Sequence, residues 1–169
     1  AAVACSSGRI DAQDDHWVAI GDPMEAALDA FAHRLGAGGP GPSPPRRFAF
    51  DPIRRRASVI AGEWLLLKGA PDAVLPRCLD AGGAHTAVET MAARGLRVLA
   101  VARRPAAAAG DDDVDRADRD LELLGLVGLQ DPPRAGVGSA VAACRRAGIR
   151  PVMITGDHPA TAKAIAREV

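Results

Sequence analysis

Ala57-Ser58-Val59-Ile60-Ala61-Gly62-Glu63-Trp64-Leu65-Leu66-Leu67-Lys68 decides the fold of the first part of the chain. Two apolar runs flank the short pair Gly62-Glu63, the pattern of two antiparallel strands closed by a tight turn. A third strand-like run, Phe48 to Asp51, precedes them. Further back, Asp22-Pro23 marks a helix start, with Asp22 as cap and Pro23 in the first helical position. Met24, Ala27, Leu28, Phe31 and Leu35 recur at helical spacing, so a helix is expected over 23–35, after a strand over 16–20. The Gly/Pro/Ser-rich stretch 36–45 reads as a loop.

Downstream, helices are expected over 71–78 and 86–94, the second closed by Gly95, with a buried strand over 96–102. Residues 105–120 carry an alanine run and then Asp111, Asp112, Asp113, Asp115, Asp118 and Asp120, which reads as a solvated surface segment. Beyond it the pattern becomes strand 123–129, helix 137–147, strand 151–154 and helix 158–167, the alternation of a parallel α/β unit. The fold class read from the sequence is therefore α+β. An antiparallel sheet flanked by helices fills residues 1–125, and an incomplete parallel α/β segment fills 126–169.

Composition narrows the function classes. The 169 residues are 48% hydrophobic and 25% charged, the balance of a globular chain. Lys+Arg and Asp+Glu both number 21, and aromatics make up 3%. A zero net charge and so few rings argue against nucleic-acid binding. Cys5, Cys78 and Cys144 form no C-x-x-C pair, which argues against zinc. No apolar run is long enough to span a bilayer. With no leader-like start and no initiator methionine, the chain reads as a soluble piece of something longer.

Five local features carry candidate chemistry. Thr155-Gly156-Asp157 follows an apolar run and precedes a helix, where open α/β sheets place polar ligands; Asp157 as a plain helix cap is the alternative. Lys68-Gly69 ends a strand, offering an ammonium to a phosphate beside a residue that admits close approach, or simply a strand-end lysine. Phe50 stands before Arg54-Arg55-Arg56, a ring and guanidinium groups suited to a purine and its phosphates, or a core ring beside a solvated basic turn. Glu25 lies in a first helical turn, where its charge is already favoured. Arg97 opens an apolar strand and must reach solvent or an anion.

Taken in order, Gly21-Asp22-Pro23-x-Glu25, Phe50-Asp51-x-x-Arg54-x-Arg56-x-Ser58-Val59, Lys68-Gly69-Ala70-Pro71, Gly95-Leu96-Arg97-Val98-Leu99-Ala100, Asp131-Pro132-Pro133-Arg134 and Met153-Ile154-Thr155-Gly156-Asp157-His158 resemble the cytoplasmic core of cation-transporting P-type ATPases, in the calcium and sodium/potassium branch. The resemblance implies a nucleotide-binding domain over 1–125 and part of a haloacid-dehalogenase-like phosphorylation domain over 126–169, with a hinge near 129–134. It implies ATP, with Mg²⁺ accompanying the nucleotide, as what the parent protein uses. Phe50 would stack on adenine and Glu25 would bond near its amino group. Lys68 would line the pocket floor with Gly69 against the ligand. Arg55, where relatives usually carry lysine, and Arg97 would face the phosphates. Asp131, Pro132 and Arg134 would form the hinge, and Thr155, Gly156 and Asp157 would approach the transferred phosphoryl group.

The departures are Met24 for a usual threonine and Ala57 for a usual methionine. The phosphorylated Asp-Lys-Thr-Gly-Thr segment and the later Gly-Asp-Gly-x-Asn-Asp segment do not occur. The resemblance thus implies an ATP-positioning piece at the cytoplasmic face of a membrane. Its partners would be the remaining phosphorylation, actuator and transmembrane domains, and it would hold no metal ligands of its own. A stand-alone haloacid-dehalogenase-like phosphotransferase, or a non-catalytic adenine-nucleotide sensor, is the alternative.

Overall fold

The computed structural model describes residues 1–14, 16–38, 46–106 and 118–169. Residues 39–45 of the loop expected over 36–45 and residues 107–117 of the aspartate-rich segment therefore lie outside the described residues. The chain divides into two compact units, one of residues 1–82 with 99–127 and one of residues 83–98 with 128–169.

The first unit is built on a sheet. Strands β3 (Arg46–Asp51), β4 (Arg56–Ala61), β5 (Trp64–Gly69), β6 (Cys78–Asp80), β7 (Arg97–Pro105) and β8 (Leu121–Leu129) take the order β3-β4-β5-β7-β8-β6. The hairpin read at Gly62-Glu63 is present, with Ala61 opposite Trp64 and Arg56 opposite Gly69. β3 and β7 also run antiparallel to their neighbours β4 and β5, whereas the short β6 lies parallel to β8. Leu65, Leu67, Val59 and Leu121 are fully buried, and since Val59 opposes Leu66 while Leu65 and Leu67 oppose Ile60 and Ser58, the β4–β5 pair is covered on both faces. A separate hairpin, β1 (Arg9–Gln13) with β2 (His16–Ile20), packs on helix α1 (Pro23–Arg34).

Three details of this unit differ from the sequence expectation. Helix α1 starts as read, with the Asp22 carboxylate accepting from Glu25 N. Its buried face is Ala26, Leu28, Asp29 and Ala32, while Phe31 and Leu35 are exposed. The reason is polar: the buried Asp29 carboxylate accepts the Ile10 amide of β1 at 2.9 Å, which turns that side of the helix inward. The helix expected over 71–78 ends early. α2 (Pro71–Val74) gives way to a 3-10 turn at Leu75–Arg77 and then to β6, because Pro76 supplies no N–H to continue an α-helix.

Asp118 corrects the solvated reading of the aspartate-rich stretch. It is fully buried, and its Oδ2 accepts from Arg56 Nε at 2.7 Å. Arg104 Nη1 donates to the neighbouring Arg119 carbonyl. These contacts pin the end of that segment to the sheet.

The second unit contains α3 (Ala84–Ala93), α4 (Val137–Arg146) and α5 (Pro159–Glu168). α3 packs on α5, and the buried Thr161 hydroxyl donates to the Leu96 carbonyl at 2.9 Å. α5 is capped by His158, whose Nδ1 accepts from Ala160 N, rather than by Asp157. The strand expected over 151–154 is not formed, and Val152 and Ile154 are exposed. A lone extended segment gains nothing from strand geometry without a hydrogen-bonded neighbour, and Pro151 has no N–H to give one. The expected strand-helix-strand-helix unit is thus reduced here to its helices and β8.

Removing one partner of a buried ion pair strands the other charge, at a cost of about 3–5 kcal/mol. Asp118→Ala is expected to lower the unfolding free energy measured in urea by that amount, and Arg56→Met with Asp118→Leu to recover most of it. Equal loss in the single and double variants would show that the pair is not the anchor.

Candidate functional site

The site begins with a buried lysine. Lys68, near the end of β5, is 5% exposed. An ammonium removed from water needs a counter-charge and acceptors. Lys68 Nζ donates to Glu25 Oε1 at 2.7 Å and to Ser6 Oγ at 2.6 Å. Glu25 reaches it from the first turn of α1, where Asp22 fixes the start of the helix. The other carboxylate oxygen, Oε2, accepts from Ser7 N, Ser7 Oγ and Gly8 N at 2.7, 2.9 and 2.9 Å. Burial works to raise the Glu25 pKa. It is outweighed by the Lys68 hydrogen bond, the Gly8 and Ser7 amides and the lysine charge, which together bring the value down to about 2.

Ser6-Ser7-Gly8 is the part of this network that sequence reasoning missed. Its only signal was a run of small residues, which admits many readings. Gly8 is required there, because a Cβ would lie 2.7 Å from the Asp22 carbonyl and 2.8 Å from Glu25 Cβ. Gly69 is equally constrained, since a Cβ would lie 2.6 Å from the Arg55 carbonyl. It is closed against the β3–β4 turn.

That turn places the next two candidates. Asp51 Oδ1 accepts from Ile53 N and Arg54 N, both at 2.8 Å. The Arg54 amide leads the causes that hold the Asp51 carboxyl below its ordinary value. Arg55 closes the turn with φ +52°, donating its amide to the Asp51 carbonyl and accepting from Ala70 N at 3.0 Å. Its guanidinium meets the Asp72 carboxylate at 2.7 Å, with both side chains more than half exposed. The neighbours turn the other way, Arg56 to Asp118 at 2.7 Å and Arg54 to the same carboxylate at 3.9 Å.

Phe50 is 60% exposed. Between Phe48, opposite Ser58, and Asp51, opposite Arg56, β3 holds one residue more than β4. Such a bulge shifts the alternation by one residue. Phe50 is thereby on the face of Ala57, whose partner across the next strand is Lys68. Glu25, Phe50, Arg55, Lys68 and Gly69 therefore all lie in the first unit, where the Phe50 ring is exposed and the Lys68–Glu25 pair is largely buried.

The remaining candidates lie in the second unit. Arg97 is largely exposed at the start of β7, and its Nε stands 3.6 Å from Asp157 Oδ1. Thr155 Oγ1 donates to Asp157 Oδ2 at 2.9 Å and accepts from Asp157 N at 3.1 Å. Thr155, Gly156 and Asp157 therefore form a closed polar turn facing a guanidinium. Asp131, Pro132 and Arg134 lie in the extended connection between β8 and α4. Among the described residues no group of three His, Cys, Asp or Glu side chains is arranged to hold a metal, and no helix is long and apolar enough to cross a membrane.

Residues 79–136 match the family model described as P-type ATPase, cytoplasmic domain N. The chain is 36% identical to a calcium-transporting ATPase of Bacillus subtilis, across 98% of this chain and 21% of that protein. It is 40% identical to the sodium/potassium exporting P-type ATPase cta3 of Schizosaccharomyces pombe, across 90% and 17%. It is 35% identical to the cation-transporting ATPase pma1 of Synechocystis, across 98% and 20%. The chain spans about a fifth of the length of these relatives.

Because the folded Glu25 pKa of about 2 lies below the ordinary 4.5, the unfolded chain takes up the proton first as pH falls. The contribution of Glu25 to stability is full above about 4.5 and is lost on acidification toward about 2. Denaturant midpoints measured across that window should fall less steeply in Glu25→Gln than in the parent chain. Parallel curves would contradict the depressed carboxylate.

Proposed function

This chain belongs to the P-type cation-transporting ATPases, and we propose that within them it holds the adenine end of ATP and positions the phosphate tail for transfer to an aspartate outside this chain. The observation that carries the reading is the exposed Phe50 ring on the same sheet face as the Lys68–Glu25 pair. In this reading residues 1–125 are the nucleotide-binding domain, and 126–169 begin a haloacid-dehalogenase-like phosphorylation domain. Asp131, Pro132 and Arg134 are the hinge between them.

Each residue then has a physical task. Phe50 stacks on the purine, a contact worth about 1–3 kcal/mol for a base on an aromatic ring. Glu25 keeps one lone pair of Oε1 for the adenine amino group while its other bonds hold Lys68. Lys68 is a buried, neutralised floor with Gly69 beside it. Arg55 and Arg97 attract the phosphates. Thr155, Gly156 and Asp157 receive the γ-phosphoryl group when the hinge closes, a rigid-body motion of the kind that assembles many phosphoryl-transfer sites.

Mg²⁺ accompanies ATP in this chemistry, and its charge helps neutralise the phosphate oxygens. The described residues do not themselves make a Mg²⁺ site, because Asp157 is a single carboxylate already engaged by Thr155 and Arg97. The longer protein, in this reading, is an integral membrane pump with this piece on its cytoplasmic face. Its partners are the actuator, transmembrane and remaining phosphorylation domains.

A one-sided stack and a screened cationic contact, less the cost of association, correspond to a dissociation constant of about 0.1–1 mM for ATP. Amide-shift titration of the 169-residue chain with ATP should perturb residues around Glu25, Phe50 and Lys68. Phe50→Ala should weaken binding by about fivefold or more. Millimolar ATP that moves none of these amides would remove the reading.

A further inference from the structure

We infer that Asp72 is an intramolecular rival of the phosphate tail for Arg55, a specificity-determining residue that loosens the grip on ATP. The inference rests on the ATP reading above. Its starting point is the sorting of three consecutive arginines. Arg54 and Arg56 are directed to the buried Asp118, and Arg55 alone is directed to an exposed carboxylate.

The sorting has a backbone cause. Arg55 sits in the left-handed region, and both its amide and its carbonyl are bonded within the turn and to Ala70. Its Cα is therefore held in place, and only the side chain is at liberty to exchange partners. Asp72 stands four residues after Lys68, in the first turn of α2, on the segment tied to the Arg55 carbonyl through Ala70. The Arg55–Asp72 contact is thus held beside the Lys68–Gly69 end of β5.

An exposed ion pair contributes little in water, so it exchanges readily. A phosphate group offers a guanidinium the same forked geometry as a carboxylate and carries more charge. Binding of the tail to Arg55 displaces Asp72, whose carboxylate then stands beside the phosphates and repels them. The floor shows no such exchange: Lys68 is buried and fixed by Glu25 and Ser6. Asp72 therefore acts on the phosphates and not on the base.

The test is calorimetric titration of ATP and of adenosine into the parent chain, Asp72→Asn, Asp72→Ser, Arg55→Gln and the Arg55→Gln/Asp72→Asn double variant, with circular dichroism checking the fold of each. Asp72→Asn and Asp72→Ser are expected to bind ATP about two- to fivefold more tightly than the parent, with adenosine unchanged. The gain should vanish when Arg55 is already glutamine. An unchanged ATP affinity in both Asp72 variants overturns the rivalry and leaves the ATP reading standing. An equal gain for adenosine, or a gain that persists in the double variant, also overturns it. ATP binding by no form of the chain overturns the ATP reading and the rivalry together.

Discussion

The first unit is organised around the need of one buried ammonium for a partner. Lys68 lies in a strand whose other side chains are apolar, and without Glu25 its charge would have no counterpart there. Satisfying it brings the first turn of α1 to the sheet. Satisfying the second oxygen of Glu25 then folds Ser7 and Gly8 back onto the same helix. Three chain segments far apart in sequence are joined by the hydrogen bond of one ion pair and four further bonds to it. Because Lys68 and both oxygens of Glu25 already have partners, the pair behaves as a scaffold on which more exposed groups are displayed.

The opposite face of the sheet repeats the logic with Arg56 and Asp118. Asp118 Oδ1, Arg54 Nη1 and Ser58 Oγ are buried there without hydrogen-bond partners. Polar atoms in that condition are costly, so the Arg56–Asp118 bond carries much of the compensation on that face. The two ion pairs share β4 and β5 through adjacent register: Arg56 opposes Gly69, and Ala57 opposes Lys68. The turn that presents Arg55 is held between them.

In the second unit the cation and the polar turn are exposed and loosely paired. The 3.6 Å approach of Arg97 to Asp157 is longer than the 2.7 Å contact of Lys68 with Glu25. An exposed pair at that distance contributes little to stability, whereas the buried pair must be kept intact for the first unit to fold.

Much was legible in the sequence because local chemistry dictated it. Gly62-Glu63 between two apolar runs fixed a hairpin, Asp22-Pro23 fixed a helix start, and ordered short motifs identified the family. Contacts distant in sequence were not legible. That Asp118 pairs with Arg56, that Asp29 turns its face of α1 inward, and that Ser7 and Gly8 close on Glu25 each depend on a partner at least eighteen residues away, except the Gly8 contact at seventeen. The reading of 151–154 failed for a related reason: its apolar pattern is that of a strand, but strand pairing is a property of neighbours. Sequence determined which residues prefer which local geometry. Only the tertiary structure decided which charges neutralise one another, because desolvation and Coulomb energy depend on distance in space and not along the chain.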